Sequence, residues 1–136
     1  MFSRDAVLFA NEAFYQAFAV ADLVAMDALW AREMPVTCIH PGWHALNSRE
    51  QIMAAWREVF TNDNQAPLIC RAPEAFVVGE VAFVICFEQL PDAMLIATNI
   101  FRREDRQWRM VHHQSGPTPG HPSQLRDAQT PPLRAH

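Results

Sequence analysis

Apolar residues recur every three or four positions through most of the first 60 residues, which is the period of an amphipathic helix. This stripe predicts a first helix that ends before Asp22 and a short second helix that begins at Asp22 and stops before Pro35. Ser48 and Gln51 have the spacing of a capping box and predict the start of a third helix. The β-branched run 36–40 predicts a short strand between the second and third helices.

The period shortens in the second half of the chain, where apolar runs are separated by turn-forming residues. The four predicted strands are 68–78, 81–90, 93–103 and 108–115. Pro73 interrupts the first of them, which indicates an edge strand or a bulge there. Helices followed by an antiparallel meander predict an α+β domain with the helices packed on one face of a curved sheet.

Prolines accumulate at the carboxyl end of the sequence, at positions 117, 119, 122, 131 and 132. Few apolar residues accompany them, so burial cannot offset the entropy of ordering this segment. We therefore expect one domain over residues 1–116 and an extended or disordered Pro-rich tail over 117–136.

The length, charge and cysteine content of the chain disfavour several classes of protein. A chain of 136 residues suffices for one core, and a net charge of −4 without a basic stripe disfavours nucleic acid as a partner. No leader pattern and no long uncharged apolar run occur, so neither secretion nor membrane insertion is expected. Cys38, Cys70 and Cys86 are odd in number and unclustered, which predicts reduced core thiols in the cytoplasm.

Turn geometry in the meander predicts which polar residues share a face. If Pro91 and Asp92 form a two-residue turn, Glu88 lies on the same face as Asn99, because side chains alternate along a strand. The predicted polar residues of this otherwise apolar face are Glu88, Asn99, His112 and Gln114. An apolar face with a few polar groups is typical of a small-molecule cavity.

The last hairpin decides which histidine joins that face. If Arg103 pairs with Trp108, Asn99 lies opposite His112, and a one-residue slip would bring His113 there instead.

The opposite face of the predicted sheet is apolar as well. Its residues are Phe83, Ile85, Phe87, Ile96, Ile100 and Val111. A sheet that is apolar on both sides needs a second partner, and a homodimer through the outer face would supply one. The pattern leaves open which of the two faces is the inner one.

Several short stretches resemble one known family. They are Asp22-Leu23, Cys38-Ile39-His40-Pro41-Gly42-Trp43, Ser48-Arg49-Glu50, Ala97-Thr98-Asn99-Ile100-Phe101 and Trp108-Arg109-Met110-Val111-His112-His113. Their order and spacing over roughly residues 6–116 resemble the SnoaL-like branch of the nuclear-transport-factor-two-like, cystatin-like superfamily. The resemblance implies a cone-shaped α+β fold, with three N-terminal helices packed on a bent, mostly antiparallel sheet around a cavity, and a homodimer.

The resemblance does not select one activity, because the superfamily includes isomerases, dehydratases, hydrolases, cyclases and non-enzymatic assembly domains. Gln114 stands where a third histidine is common in the branch. The Tyr and Asp arrangement of the steroid isomerases is also missing, since the one tyrosine, Tyr15, lies in the first helix.

Glu88 is the sharpest catalytic candidate, because a carboxyl group in an apolar strand is desolvated and suited to acid or base work. As a hypothesis it is the general base, with His112 as its catalytic partner. The alternatives are that Glu88 pairs with an arginine or reaches water, and that His112 is structural.

Five further residues are ligand-binding candidates. They are His40, which could relay a proton; Asn99, which could hold a carbonyl; Gln114; and the two indoles Trp43 and Trp56. Each has a structural alternative, as a satisfied histidine, a network amide or a core indole. Adjacent histidines on a strand point to opposite faces, so no bound metal is expected. No cofactor-binding motif is present either.

The sequence thus predicts a protein that binds a small apolar molecule and carries out cofactor-free acid–base chemistry on a carbonyl-bearing or cyclic compound. The alternative is a non-enzymatic ligand-binding or oligomerisation module. The substrate is not encoded in any motif of this sequence.

Overall fold

Three helices and five strands make up the part of the chain that the computed structural model describes, residues 3–62 and 67–119. The helices are α1 (Ser3–Ala19), α2 (Leu23–Leu29) and α3 (Arg49–Phe60). The strands are β1 (Thr37–Ile39), β2 (Ile69–Val78), β3 (Val81–Gln89), β4 (Met94–Glu104) and β5 (Gln107–Pro117).

Side-chain caps fix the starts of the second and third helices. The Asp22 carboxylate accepts a hydrogen bond from the Ala25 amide at 3.0 Å, and the Ser48 hydroxyl accepts one from the Gln51 amide at 3.1 Å. The Gln51 side chain reaches back one residue further than in a capping box, to the Asn47 amide at 3.2 Å. Both predicted helix starts are confirmed.

The strands form one open sheet in the order β1-β5-β4-β3-β2. Strands β2 to β5 are antiparallel neighbours, and β1 adds to the far side of β5 in parallel. Strand β2 is therefore an edge strand, and its register shifts between Arg71 and Glu74, where Ala72 has a φ of 52°. Pro73 thus lies in an irregularity of an edge strand, and the predicted α+β class is confirmed.

The hairpin between β4 and β5 is tighter than the sequence predicted. Glu104 pairs with Gln107, so the loop contains two residues, Asp105 and Arg106, rather than four. Both have positive φ, 54° and 66°, which is the conformation of a turn whose twist matches that of the flanking strands.

Helices α1 and α3 cover one face of the sheet, and the core lies between them. Its largest fully buried side chains are Trp30, Trp56, Phe14 and Phe101. No helix in the described ranges is both long and apolar enough to span a bilayer. Strand β5 ends one residue after the predicted domain boundary, and residues 120–136 of the predicted tail lie outside the described part of the chain.

Candidate functional site

The turn between β3 and β4 places Glu88 and Asn99 on the covered, inner face of the sheet. The Leu90 amide donates to the Ala93 carbonyl at 3.0 Å, so the predicted two-residue turn is present. Glu88 then lies opposite Leu95, and both Glu88 and Asn99 are buried. The predicted sharing of one face by these two polar residues is confirmed.

A bulge in β5 changes the partner of Asn99. Arg103 pairs with Trp108 as predicted, but the register shifts by one residue before Asn99 is reached, and Val111 is the extra residue. Asn99 therefore lies opposite His113. The prediction that His112 faces Asn99 is wrong, because a bulge inserts one residue and reverses the alternation beyond it.

The bulge also removes His112 and Gln114 from the inner face. The Nδ1 atom of His112 lies 2.6 Å from the Thr37 hydroxyl on β1, and its Nε2 lies 3.3 Å from Gln114 Oε1. His112 is half-buried and Gln114 is exposed. Neither lines the cavity described next, so their predicted place in the site is also wrong.

A cavity of about 260 Å³ lies between the helices and the inner face. Its wall is mostly aromatic and aliphatic, and its titratable members are Tyr15, His40, Glu88 and His113. The volume lies just below the range of drug-sized pockets, ~300–1,000 Å³, so the cavity suits a small ligand.

The structure brings Trp43, Trp56 and His40 to the same cavity. Trp56 is buried, whereas Trp43 is 39% exposed. The His40 ring packs edge-on against both indoles, at centroid distances of 4.8 Å and 4.7 Å. These three rings form an aromatic corner of the cavity, and their roles in ligand binding stay predictions.

Glu88 is held by two hydroxyl groups at the cavity wall. Tyr15 Oη lies 2.6 Å from Oε2, and Ser115 Oγ lies 2.5 Å from Oε1. The carboxyl group is only 3% exposed, and this burial raises its pKa above the ordinary value for glutamate. The hydrogen bonds from Ser115 and Tyr15 and the nearby His40 oppose the rise only in part.

Asn99 stands behind the cavity, in a buried amide network. Its Nδ2 donates to Asn11 Oδ1 at 2.8 Å and to Tyr15 Oη at 3.2 Å. Its Oδ1 lies 2.6 Å from Nδ1 of His113. Asn99 has no exposed surface and does not line the cavity, so its predicted place on the cavity wall is wrong. It instead contacts Tyr15 and His113, which do line the cavity.

Both cavity histidines are neutral near neutral pH. Burial lowers the pKa of His113 to about 3, with a smaller contribution from the neighbouring His112. Burial likewise lowers the pKa of His40 to about 4, helped by His113 and opposed by Glu88. The wall therefore offers neutral imidazoles beside a carboxyl group whose proton is held more tightly than usual.

Sequence reasoning missed four members of this arrangement: Asn11, Tyr15, His113 as the inward histidine, and Ser115. Asn11 and Tyr15 are four residues apart on α1 and lie on its buried side. Their place within an otherwise apolar helical stripe is a usable signal, because polar groups buried there need partners. The inward direction of His113 and Ser115 follows from the bulge, and no residue type in β5 indicates a bulge at that position.

The thiols lie beside the network rather than in a metal cluster. Cys86 Sγ is 3.2 Å from Tyr15 Oη, and Cys38 Sγ is 3.7 Å from His40 Nε2. All three cysteines are free thiols. Within residues 3–62 and 67–119, no three His, Cys, Asp or Glu side chains are arranged to hold a metal ion.

A model of the SnoaL-like domain matches residues 7–119, which is most of the chain. The protein belongs to the SnoaL-like family. The resemblance seen in the sequence is thereby confirmed, and so is the cystatin-like α+β fold. The family membership leaves the reaction open.

Two solved structures are similar to this SnoaL-like protein in sequence as well as in fold. One is a proposed dehydratase of the NTF2-like family from Streptomyces avermitilis, 27% identical, with a TM-score of 0.77 over 85% of this chain and 96% of that one. The other is a proposed association domain of a calcium/calmodulin-dependent protein kinase type II from Thiobacillus denitrificans. It is 34% identical, with a TM-score of 0.72 over 81% of this chain and 93% of that one.

A curated relative, the F-box protein SKIP8 of Arabidopsis thaliana, is 22% identical over 112 residues. The match covers 81% of the SnoaL-like chain and 48% of the plant protein, so the chain spans about half the length of this relative. A proposed ketosteroid isomerase from Parabacteroides distasonis, 14% identical with a TM-score of 0.68, shares the fold.

Proposed function

We propose that this SnoaL-like protein binds a small, largely apolar carbonyl compound in its cavity and transfers a proton on it without a cofactor. Glu88 is the group that removes and returns the proton. The observation that carries the proposal is the buried Glu88 carboxyl in the wall of an otherwise largely apolar cavity. Desolvation there brings the pKa of Glu88 closer to physiological pH, which favours general acid–base work.

The surroundings of Glu88 support that role. Bonds to Tyr15 and Ser115 hold both carboxyl oxygens, so little reorientation is needed when a substrate binds. In the proposed step, a proton leaves the carbon next to the carbonyl and bonds to Glu88. The electron pair of the broken C–H bond moves onto the carbonyl oxygen as an enolate.

The fate of the enolate defines the reaction. Return of the proton to another carbon gives an isomer, and loss of a β-hydroxyl with a proton, as water, gives a conjugated alkene. The likeness to the proposed dehydratase from Streptomyces avermitilis supports the second outcome. Both outcomes need the same first proton transfer, and they need no redox partner.

A pair of small ketones tests the proposal. β-Hydroxycyclohexanone loses water to give the conjugated cyclohexenone, and β,γ-cyclohexenone isomerises to the same product, so ultraviolet absorbance follows both. We expect catalysed conversion of at least one ketone, and a loss of about 10²–10⁴-fold in the Glu88→Gln variant. The matched control is Glu80→Gln, which changes an exposed glutamate in the turn before β3.

Unchanged turnover in Glu88→Gln would contradict the base role of Glu88. Absence of turnover on both ketones, with binding retained, would instead favour the non-enzymatic alternative.

The outer face of the sheet supports self-association as a second property. Ile96 is 40% exposed there, and the stacked pair Phe76 and Phe83 lies further along the same face. We infer a homodimer through this face, because burial of half-exposed apolar side chains favours association. The likeness to a proposed association domain supports the inference.

Sedimentation velocity of the wild type and of Ile96→Lys tests the homodimer. We expect a dimer for the wild type and a shift to monomer in the variant, and Glu80→Lys is the matched control for added positive charge. A wild-type monomer would contradict the homodimer, and a larger ring without turnover would favour the oligomerisation module.

A cytoplasmic location is also proposed, resting on the three free thiols.

A further inference from the structure

The amide group of Asn99 has a defined direction in the buried network. Its Nδ2 faces two oxygen atoms, Asn11 Oδ1 at 2.8 Å and Tyr15 Oη at 3.2 Å. Its carbonyl oxygen, Oδ1, is thereby turned toward His113, at 2.6 Å from Nδ1. A carbonyl oxygen only accepts hydrogen bonds, so Nδ1 of His113 carries the hydrogen.

A neutral imidazole has one N–H group, so a hydrogen on Nδ1 leaves Nε2 as an acceptor. The buried position of His113 disfavours the doubly protonated, charged ring. Within the described residues, no group donates a hydrogen bond to this Nε2. The ring lines the cavity, whereas its Nδ1 edge is bound to Asn99, which has no exposed surface.

We propose that Asn99 is a positioning residue that holds His113 in the Nδ1–H tautomer, and that the free Nε2 accepts a hydrogen bond from a hydroxyl group of the ligand. The inference rests on the proposed small-molecule cavity and adds the chemical class of its ligand. Among the carbonyl compounds of the proposed reaction, that ligand is a neutral, compact one that also carries one hydroxyl donor on an apolar ring or chain.

The surroundings of His113 select a neutral ligand. Phe14 packs on the His113 ring at 4.9 Å between centroids, and Trp56 lies at 6.1 Å. No lysine occurs in the sequence, and none of the arginines in the described part of the chain lines the cavity, so a ligand anion would be desolvated there without a cationic partner from these residues. A ligand that lacks a donor would leave Nε2 buried and unpaired, which weakens binding.

The tautomer is measured directly on the wild-type protein. Nitrogen-15 labelling of histidine and long-range proton–nitrogen correlation spectra distinguish protonated from unprotonated ring nitrogens. We expect His113 to show a protonated Nδ1 and an unprotonated Nε2. A protonated Nε2 would overturn the inference, and no variant has to fold for this result.

Asn99→Leu and Asn99→Asp separate positioning from a merely structural role. Leucine removes the acceptor for Nδ1–H, so we expect a mixture of the two tautomers in that variant. Aspartate keeps an acceptor at the same place and should restore the Nδ1–H form. A wild-type tautomer in Asn99→Leu would show that Asn99 does not set it and would overturn the positioning role.

Two unreactive probes test the ligand class. Cyclohexanol carries a hydroxyl donor, and methoxycyclohexane is its methyl ether without one. We expect cyclohexanol to bind the wild type roughly tenfold more tightly and to shift the His113 Nε2 resonance, because one hydrogen bond to a buried acceptor is gained. The preference should fall in Asn99→Leu in proportion to the fraction of His113 that leaves the Nδ1–H form.

The same probes distinguish this inference from the proposed reaction. Neither probe has a carbonyl group, so turnover plays no part in the measurement. Glu88→Gln should keep the preference for cyclohexanol even though it lowers turnover by about 10²–10⁴-fold. Equal affinity of the two probes for the wild type would overturn the ligand class, whatever the outcome of the turnover assay.

Discussion

The two faces of the sheet are made from the same strands, yet they are organised differently. On the inner face, His113, Asn99 and Glu88 are connected through hydrogen bonds, with Tyr15 of α1 between Asn99 and Glu88, and this buried set lies in an apolar wall. The outer face carries half-exposed apolar side chains such as Phe83 and Ile96. The inner residues are linked to one another by hydrogen bonds, and on the outer face apolar side chains retain surface that a partner could cover.

The difference indicates that the inner face is suited to specific recognition and the outer face to association. A buried polar network fixes one arrangement, because a misplaced member leaves an unpaired group at a cost of about 1–3 kcal/mol. An apolar face imposes little direction and adapts to a partner of complementary shape. Substitutions on the two faces should therefore have different sizes of effect and different dependences on protein concentration.

The largest contrast is expected from two phenylalanines. Phe101 is fully buried on the inner face, so Phe101→Ala should lower the free energy of unfolding by about 3–5 kcal/mol. Phe83→Ala on the outer face should cost about 1–2 kcal/mol in dilute solution, because its ring is only half-buried. Urea unfolding over a range of protein concentrations measures both, and equal costs would contradict the assignment of the faces.

A buried histidine should make the inner face sensitive to acid. The pKa of His113 in the folded protein, about 3, lies below the ordinary value of 6.5. The unfolded chain therefore takes up a proton at a pH where the folded one does not, so stability present above pH 6.5 is lost as the pH falls toward 3.

The loss approaches about 1.4 kcal/mol per pH unit for this one residue. His113→Asn retains an N–H donor toward Asn99 and removes the titration. Stability of the variant measured against pH should therefore fall less steeply than that of the wild type, and parallel curves would contradict the prediction.

Tyr15→Phe should have an intermediate effect on the inner face. It removes the hydroxyl that bonds to Glu88, at a cost of about 1 kcal/mol in unfolding free energy. Because that bond lowers the pKa of Glu88, its loss should raise this pKa further. Carbon-13 titration of the Glu88 carboxyl measures the shift, and an unchanged or lower pKa would argue against the contact.

His112→Ala should have the smallest effect. This histidine is only half-buried, and its ring nitrogens lie within hydrogen-bond distance of Thr37 and Gln114. Its removal should cost about 0.5 kcal/mol and leave the binding of cyclohexanol unchanged. A large loss of cyclohexanol binding would show that His112, rather than His113, faces the ligand.

Most of the fold could be predicted from the sequence because the residues that determine the helices, strands and turns are close together in the chain. Helix caps such as Asp22 and Ser48, the turn at Pro91 and the position of Pro73 each depend on a few neighbouring residues. The placement of Glu88 and Asn99 on one face followed from the alternation of side chains along strands joined by a short turn, whereas the pattern left open that this face is the inner one.

The remainder of the site depends on features that are not local. The bulge at Val111 has no glycine or proline to mark it, so the alternation placed His112 where His113 lies. Tyr15 and Ser115 meet at Glu88 from separate elements, and their meeting depends on how α1 packs on the sheet. The pattern of residues along one element does not predict which side chains of two packed elements meet.

The extra residue in β5 determines which side chains beyond it face the interior, much as a frameshift determines which bases are read together. If β5 paired with β4 without the bulge, Val111 would lie opposite Ile100, and the alternate set of β5 residues would face the interior. His112 and Gln114 would then replace His113 and Ser115. Deleting Val111 would instead remove the extra residue and keep Ile100 opposite His112, so the present side chains would stay on the inner face. The pairing of one strand thus selects the polar groups of the cavity, without the substitution of any residue that contacts the ligand.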